Sequence, residues 1–277
     1  MKPRQLILHA GPHKTGTSSV QAVLRDQSFE AFYYPKTGQW MDGAHHHLVF
    51  SLIPELRRAD AESLEPEELL LQLQSELAGI RHDTLLISSE FLSTGCAKRV
   101  LSWLIDYGIV DPEGIRTLLV ERDLLSRAAS LYNQSVKDPY VGETRAPDQW
   151  LEEEASKLSF DLMLDDLQAS GTFVEIIPYE PGDRLVPRLL MAAGAREEEI
   201  PHQIPWTNTS MSEPVLMALL AVNRSIADPL QRIEHRTRLF EEMQPAFVPS
   251  SPELFGNARG KCDNNASFNP TRSRDSM

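Results

Sequence analysis

Cysteine is nearly absent: Cys96 and Cys262 are the only two among 277 residues. Two distant cysteines give neither a disulfide framework nor the paired spacing of a zinc site. Long apolar runs are missing too, and nothing approaches the roughly 20 consecutive residues that a membrane-crossing helix needs. No secretory leader precedes the first predicted strand at about residue 5, so a cytoplasmic protein is expected. Basic excess is lacking: 27 Lys and Arg face 40 Asp and Glu, a formal charge of −13. That balance argues against nucleic acid as a partner, because a phosphate backbone demands clustered cations. What the chain does have is a 41% apolar content and a length sufficient for one large, well-buried α/β domain.

The most informative stretch is Leu6-Ile7-Leu8-His9-Ala10-Gly11-Pro12-His13-Lys14-Thr15-Gly16-Thr17-Ser18-Ser19. An apolar run ends in a Gly/Lys/Thr loop, and the residues from Val20 to Leu24 resume with helical spacing. Strand, loop and helix in this order form an anion site, because the first N–H groups of a helix have no partner within it. Lys14 adds a full charge, and Thr15, Thr17 and Ser18 add hydroxyls. The loop departs from the nucleoside-triphosphatase pattern G-x-x-x-x-G-K-[ST]. Gly11 and Gly16 have the right separation, but Thr17 stands where the lysine belongs, and the lysine lies upstream of the second glycine.

A second candidate anion site lies further along. The segment from Ile115 to Glu121 reads as a buried strand and ends at Arg122-Asp123. A helix follows, with Leu125, Ala128, Ala129 and Tyr132 on one face and Ser126 and Ser130 on another. A guanidinium at a strand end and a hydroxyl two turns into the next helix can grip one phosphate, the first as a bidentate fork and the second as a single donor. Asp123 reads as a brace for Arg122.

Together these residues resemble the P-loop sulfotransferase family, which uses 3′-phosphoadenosine-5′-phosphosulfate (PAPS). Lys14-Thr15-Gly16-Thr17-Ser18 is similar to the family's loop for the 5′-phosphosulfate, and Arg122 with Ser130, eight positions on, is similar to its 3′-phosphate pair. The run from Arg122-Asp123 to Ser130-Leu131-Tyr132-Asn133 resembles carbohydrate-type and bacterial members, and the likeness covers roughly residues 4–225. It implies an α/β, P-loop NTPase-like three-layer fold with a central, mainly parallel sheet flanked by helices. It implies PAPS as donor, adenosine 3′,5′-bisphosphate as product, and no metal. Gly11, His13, Lys14, Thr15, Gly16, Thr17, Ser18, Arg122 and Ser130 are the residues expected to hold the nucleotide, with Lys14 neutralising the leaving oxygen.

The organisation agrees with such a fold. Apolar runs at Leu6–Leu8, Leu85–Ser88, Thr117–Val120 and Phe173–Ile177 alternate with helical patterns, as in parallel sheets covered on both faces. A single domain over residues 1–245 is expected, with a helical insertion at about 40–83 that includes an amphipathic helix over Glu67–Leu77. Lys137–Trp150 reads as a polar loop lining the acceptor's path, with Tyr140, Arg145 and Trp150 as its contacts. Ser212-Glu213-Pro214 starts a further helix. Residues 246–277 read as a flexible tail.

Transfer to a hydroxyl requires a proton acceptor. Glu90, just past the second strand, is one candidate, since a desolvated carboxyl can have a raised pKa. Its rivals are His46 and His47 of the His45-His46-His47 run, whose imidazoles titrate near neutrality. Three adjacent histidines point apart and make a poor metal site. The family's adenine-stacking tryptophan is replaced by Ser19, and its late R-K-G element has no match beyond Gly260-Lys261. Trp206-Thr207-Asn208-Thr209-Ser210 is a candidate lid. The acceptor is expected to be a glycan, a lipid-linked sugar or a small hydroxylated metabolite. A P-loop kinase or NTPase, and a non-catalytic nucleotide-binding homologue, are the alternatives. Oligomeric state cannot be read from the sequence.

Overall fold

The computed structural model describes residues 5–58, 61–179, 184–204, 210–243, 247–248 and 254. In chain order the first half contains β1 (Gln5–His9), α1 (Thr17–Asp26), α2 (His46–Leu52), α3 (Pro66–Leu77), β2 (Thr84–Ser88), α4 (Ala97–Asp106) and β3 (Ile115–Glu121). The second half contains α5 (Leu124–Lys137), α6 (Pro147–Glu154), α7 (Phe160–Ala169), β4 (Phe173–Pro178), α8 (Leu185–Ala192), β5 (Ser210–Met211), α9 (Glu213–Ser225), α10 (Pro229–Met243) and β6 (Phe247–Val248). The chain forms two compact units, Met1–Arg122 with Phe160–Asn208, and Asp123–Ser159 with Thr209–Met277.

The first unit is an α/β structure around a four-stranded, all-parallel sheet of order β2-β1-β3-β4. Alternation along the strands divides the core between the sheet's two faces. Leu6, Leu8, Leu85, Ile87 and Leu119 pack with α2, α3, α4 and α7 on one face. Ile7, Leu86, Leu118, Val120 and Ile177 pack with α1 and α8 on the other. Each fully buried Leu or Ile contributes about 1.5–3 kcal/mol, which explains why short apolar runs suffice to define these strands. Tyr33 makes an isolated parallel bridge to Leu85 on the outer side of β2, with its N–H on the Thr84 carbonyl and its own carbonyl accepting from Leu86.

The order of strands decides where a ligand can sit. The connection leaving β1 runs to β2 on one side and the connection leaving β3 runs to β4 on the other, so the direction reverses between β1 and β3. In such sheets the crevice at the carboxyl ends, where the order reverses, is the ligand site. Here it is flanked by the loop after β1 and by Arg122 after β3.

The second unit is helical apart from the β5–β6 ribbon. Ala128, Ala129, Tyr132 and Val136 of α5 pack on Trp150 and Leu151 of α6 and on Val215, Leu216, Leu219 and Leu220 of α9. The expected face of α5 is therefore its buried face. The predicted polar loop at 137–150 is corrected in part: α6 begins at Pro147, and Trp150 is buried edge-on against Tyr132, 5.6 Å between ring centres. Arg145 is held by Glu143, Glu153 and Glu154, so of the three residues assigned to the acceptor's path only Tyr140 is exposed. Asp123 caps α5, its Oδ1 accepting from the Ser126 N–H at 2.8 Å. Of the segment read as a tail, 247–248 form β6, and all the rest except residue 254 falls outside the described residues. Trp206–Thr209 and Gly260-Lys261 also fall outside them.

Candidate functional site

The loop after β1 is shaped by its glycines and by one strained lysine. A Cβ on Gly11 would stand 2.6 Å from Thr17 Cγ2 and 2.8 Å from His9 Nε2, so only glycine fits where the loop folds back on its own strand. Thr15 is fully buried and donates to the Pro12 carbonyl at 2.7 Å, which closes the turn. Lys14 has φ 69°, the one non-glycine residue with positive φ among the described residues. That conformation costs an L-residue roughly 1–2 kcal/mol, and such strain gathers at functional sites. Gly16, at φ 80°, is the N-cap of α1 and supplies no side chain to its first N–H groups. A helix start without a side-chain cap is the kind of place where anions bind.

Arg122 brings the second motif to the first. Its guanidinium donates to the backbone carbonyl of Lys14, 108 positions away, and lies over the Tyr179 ring, 4.6 Å from its centre. Two strand ends, β1 and β3, are tied together by this bond, and Tyr179 at the end of β4 fixes the fork's plane by cation–π contact. Lys14, Arg122, His13 and Ser18 are all half-buried, and Gly16 is exposed. Ser130 is half-buried on α5 in the second unit.

Glu90 follows β2, which pairs with β1 in the register His9↔Ser88. It is 5% exposed. Its Oε1 accepts the Thr17 hydroxyl at 2.5 Å; its Oε2 accepts from Gln21 Nε2 at 3.2 Å and faces His46 Nε2 at 3.3 Å. Burial pushes the carboxyl up, but the nearby His13 and His46 and the Thr17 hydroxyl together outweigh it, so the pKa lies below its ordinary value. This is opposite to the raised value expected of a base at this position. Desolvation is present, and the donors around the carboxylate are sufficient to reverse it.

The histidine run enters α2 instead of a loop. His45 is buried and accepts from the Ser88 N–H through Nδ1 at 3.1 Å, while its Nε2 meets the Pro35 carbonyl at 2.9 Å. Burial lowers its pKa to about 4, which matches a neutral ring with its proton on Nε2. His46 turns to the site, with Nδ1 2.9 Å from Ser89 Oγ and Nε2 between Glu90 and Asp42, the latter 3.9 Å away. His47 turns the other way and lies against Trp40, 5.0 Å between ring centres. The three rings diverge, and among the described residues no three His, Cys, Asp or Glu side chains form a group able to hold a metal.

Several partners escape a reading by motif. Gln21 is fully buried and bridges Ser88 Oγ at 3.1 Å and Glu90. His9 places Nδ1 2.8 Å from Ser88 Oγ, and burial lowers its pKa to about 4. Gln21 stands four residues after Thr17 on α1, one turn along the same face; that spacing is the only signal the sequence offers for it. The Thr15 and Thr17 hydroxyl protons are used inside the protein, on the Pro12 carbonyl and on Glu90. Lys14, Ser18 and Arg122, all half-buried, stand at the same loop and strand end. No protein-family model matches the chain, and no curated protein matches it.

Proposed function

We propose that this chain is a sulfotransferase of the P-loop type, moving a sulfuryl group from PAPS to a hydroxyl or amine by in-line displacement. The observation that carries this reading is the bond from Arg122 to the Lys14 carbonyl. The resemblance rests on two motifs far apart in sequence, and that bond joins them at the carboxyl end of a parallel sheet, on either side of the β1–β3 crevice. Lys14 would neutralise the bridging oxygen as it leaves, and Ser18 with the N–H groups of α1 would hold the 5′-phosphate. Arg122 would take the 3′-phosphate. Preorganised donors of this kind supply most of the electrostatic share of catalysis. A sulfuryl group carries less charge than a phosphoryl group, so a side-chain cation can serve where kinases employ magnesium. A glycan, lipid-linked sugar or small metabolite is the acceptor class this reading favours, in the cytoplasm.

Calorimetric titration with adenosine 3′,5′-bisphosphate in metal-free buffer tests the reading. Wild type should bind in the micromolar range. Arg122→Ala and Lys14→Ala should each weaken binding by on the order of 2–5 kcal/mol. No binding by wild type, together with magnesium-dependent binding of ATP, would replace this reading with the kinase or NTPase one.

A further inference from the structure

Two adjacent histidines are held in different ways. His45 is buried, and its Nδ1 accepts the backbone N–H of Ser88 at 3.1 Å. A backbone donor cannot reverse, so that ring has no place for a second proton. His46 opens α2 and is 8% exposed. Its Nδ1 lies 2.9 Å from the Ser89 hydroxyl, a group that donates to a neutral ring and accepts from a charged one. Its Nε2 lies 3.3 Å from Glu90 Oε2 and 3.9 Å from Asp42 Oδ2, and a carboxylate accepts an N–H from either form of the ring. Both nitrogens therefore keep partners in both protonation states. Such a ring can gain or lose a proton without repacking.

The titratable groups around His46 come from four elements. Asp42, in the loop before α2, is the solvent end of the chain, with its side chain 41% exposed; its Oδ1 accepts from the Ala44 N–H at 3.0 Å. From α1, Arg25 donates to the carbonyl of Met41, beside Asp42, at 3.3 Å. Tyr34 donates to the Gly43 carbonyl at 2.6 Å. His47, next in α2, lies against Trp40. His13, in the loop after β1, and His46 both sit edge-on to Phe91, at 5.5 and 5.0 Å. Glu90, after β2, leads on to the anion loop: its Oε1 accepts the hydroxyl of Thr17, the first residue of α1, and its Oε2 accepts from Gln21, one turn on. A buried carboxylate bonded to the first turn of α1 repels an anion bound there, and the repulsion is strong where water is scarce. A proton on His46 offsets that charge.

We propose that anion binding at the start of α1 and protonation of His46 are coupled through Glu90 and Thr17, each favouring the other. The inference rests on the sulfotransferase reading only in taking the start of α1 as the place of the donor's 5′-phosphate. The coupling is reciprocal: if the anion favours the proton, the proton favours the anion by the same factor. The proton comes from solvent by way of Asp42 and returns by the same route when the anion leaves. Nucleotide affinity therefore rises as pH falls through the His46 midpoint. His46 touches no ligand in this scheme; it acts through Glu90 and is a positioning residue.

An NMR titration of the histidine ring signals on the full chain tests the proposal, with the His46 signal identified by its loss in His46→Gln. The ring reports its own proton, so the titration of the ligand's phosphates does not enter. Saturating adenosine 3′,5′-bisphosphate should raise the His46 midpoint by about half a pH unit or more. A midpoint that stays put while the nucleotide binds overturns the coupling and leaves the sulfotransferase reading intact. If the nucleotide does not bind, that reading falls, and sodium sulfate against sodium chloride at equal ionic strength decides the coupling: a midpoint raised by sulfate supports it, and equal midpoints overturn it. Without ligand, Glu90→Gln should lower the midpoint by roughly one pH unit. Asp42→Asn, which keeps the bond from Ala44, should lower it by less. An unchanged midpoint in both variants overturns the arrangement.

Discussion

The Thr17 hydroxyl reaches Glu90 Oε1 across 2.5 Å, joining the first residue of α1 to the residue that opens the turn after β2. This bond fastens the anion-binding helix to the neighbouring strand and makes the Thr17 side chain structural. Thr17→Val removes the hydroxyl donor from a buried carboxylate and should cost about 1–3 kcal/mol at pH 7. Thr17→Ser should retain most of that stability. In a cycle with Glu90→Gln the two changes should couple by at least about 0.5 kcal/mol in urea unfolding. Simple additivity would dissolve the link.

Lys14 holds a left-handed backbone, φ 69°, a conformation that glycine adopts without steric cost. Lys14→Gly should therefore leave stability equal or raise it by up to about 1 kcal/mol, while adenosine 3′,5′-bisphosphate binding falls sharply. Thermal melts beside calorimetry would read both. A melting temperature that drops with the variant would mean that the lysine side chain is itself part of the fold.

How much of this was visible in the chain alone depends on the distance over which each residue acts. Lys14, Gly16 and Arg122 could be recognised because the spacing of glycines, and of a charge after an apolar run, is local. The strands were equally clear, since Leu6–Leu8 and Leu85–Ile87 are buried on both faces and need no alternation to be noticed. The bond from Thr17 to Glu90 was not visible, because it exists only once His9 is in register with Ser88. α10 is not legible for a different reason: it carries Arg232, Glu234, Arg236, Arg238 and Glu241 within one helix, and it buries Arg232 and Arg236, which donate to the carbonyls of Pro139 and Val136. A helix that buries arginine leaves little apolar periodicity to read. Trp150 was placed in a loop because two prolines flank its approach, although Pro147 in fact starts α6.

Acid should destabilise the fold in a defined window. His9 and His45 have folded pKa values of about 4 because burial disfavours their charged forms, whereas the unfolded chain titrates near 6.5. Between these values the unfolded state binds more protons, so stability falls as pH drops. The contribution is fully present above 6.5 and fully lost below about 4, and amounts to on the order of 3 kcal/mol per histidine across the window. Glu90, held below its ordinary value, acts in the same direction at the acid end. Urea unfolding at pH 7.5 and pH 5 should show the loss, and His9→Gln should flatten it.

The two loop glycines should fail for different reasons. Gly11→Ala forces a methyl against Thr17 and His9 and should cost about 1–3 kcal/mol through overpacking. Gly16→Ala faces a positive φ as well as Leu185 Cδ2 at 2.7 Å, and should cost at least as much. Since Gly16 opens α1, the second variant should also weaken anion binding. Chemical denaturation and calorimetry on both variants separate the two effects.

The sheet is closed on one side only. Tyr33 covers the outer edge of β2, but among the described residues β4 has no strand beyond it, and its Phe173 is 70% exposed and Ile176 41%. Growth of the sheet by misfolded or partly unfolded chains therefore has a preferred direction: new strands add more readily at β4 than at β2, where Tyr33 occupies part of the edge. Aggregates formed on heating should be templated from Phe173–Pro178, and a lysine at position 173 or 176 would act as a gatekeeper against them without touching the nucleotide loop.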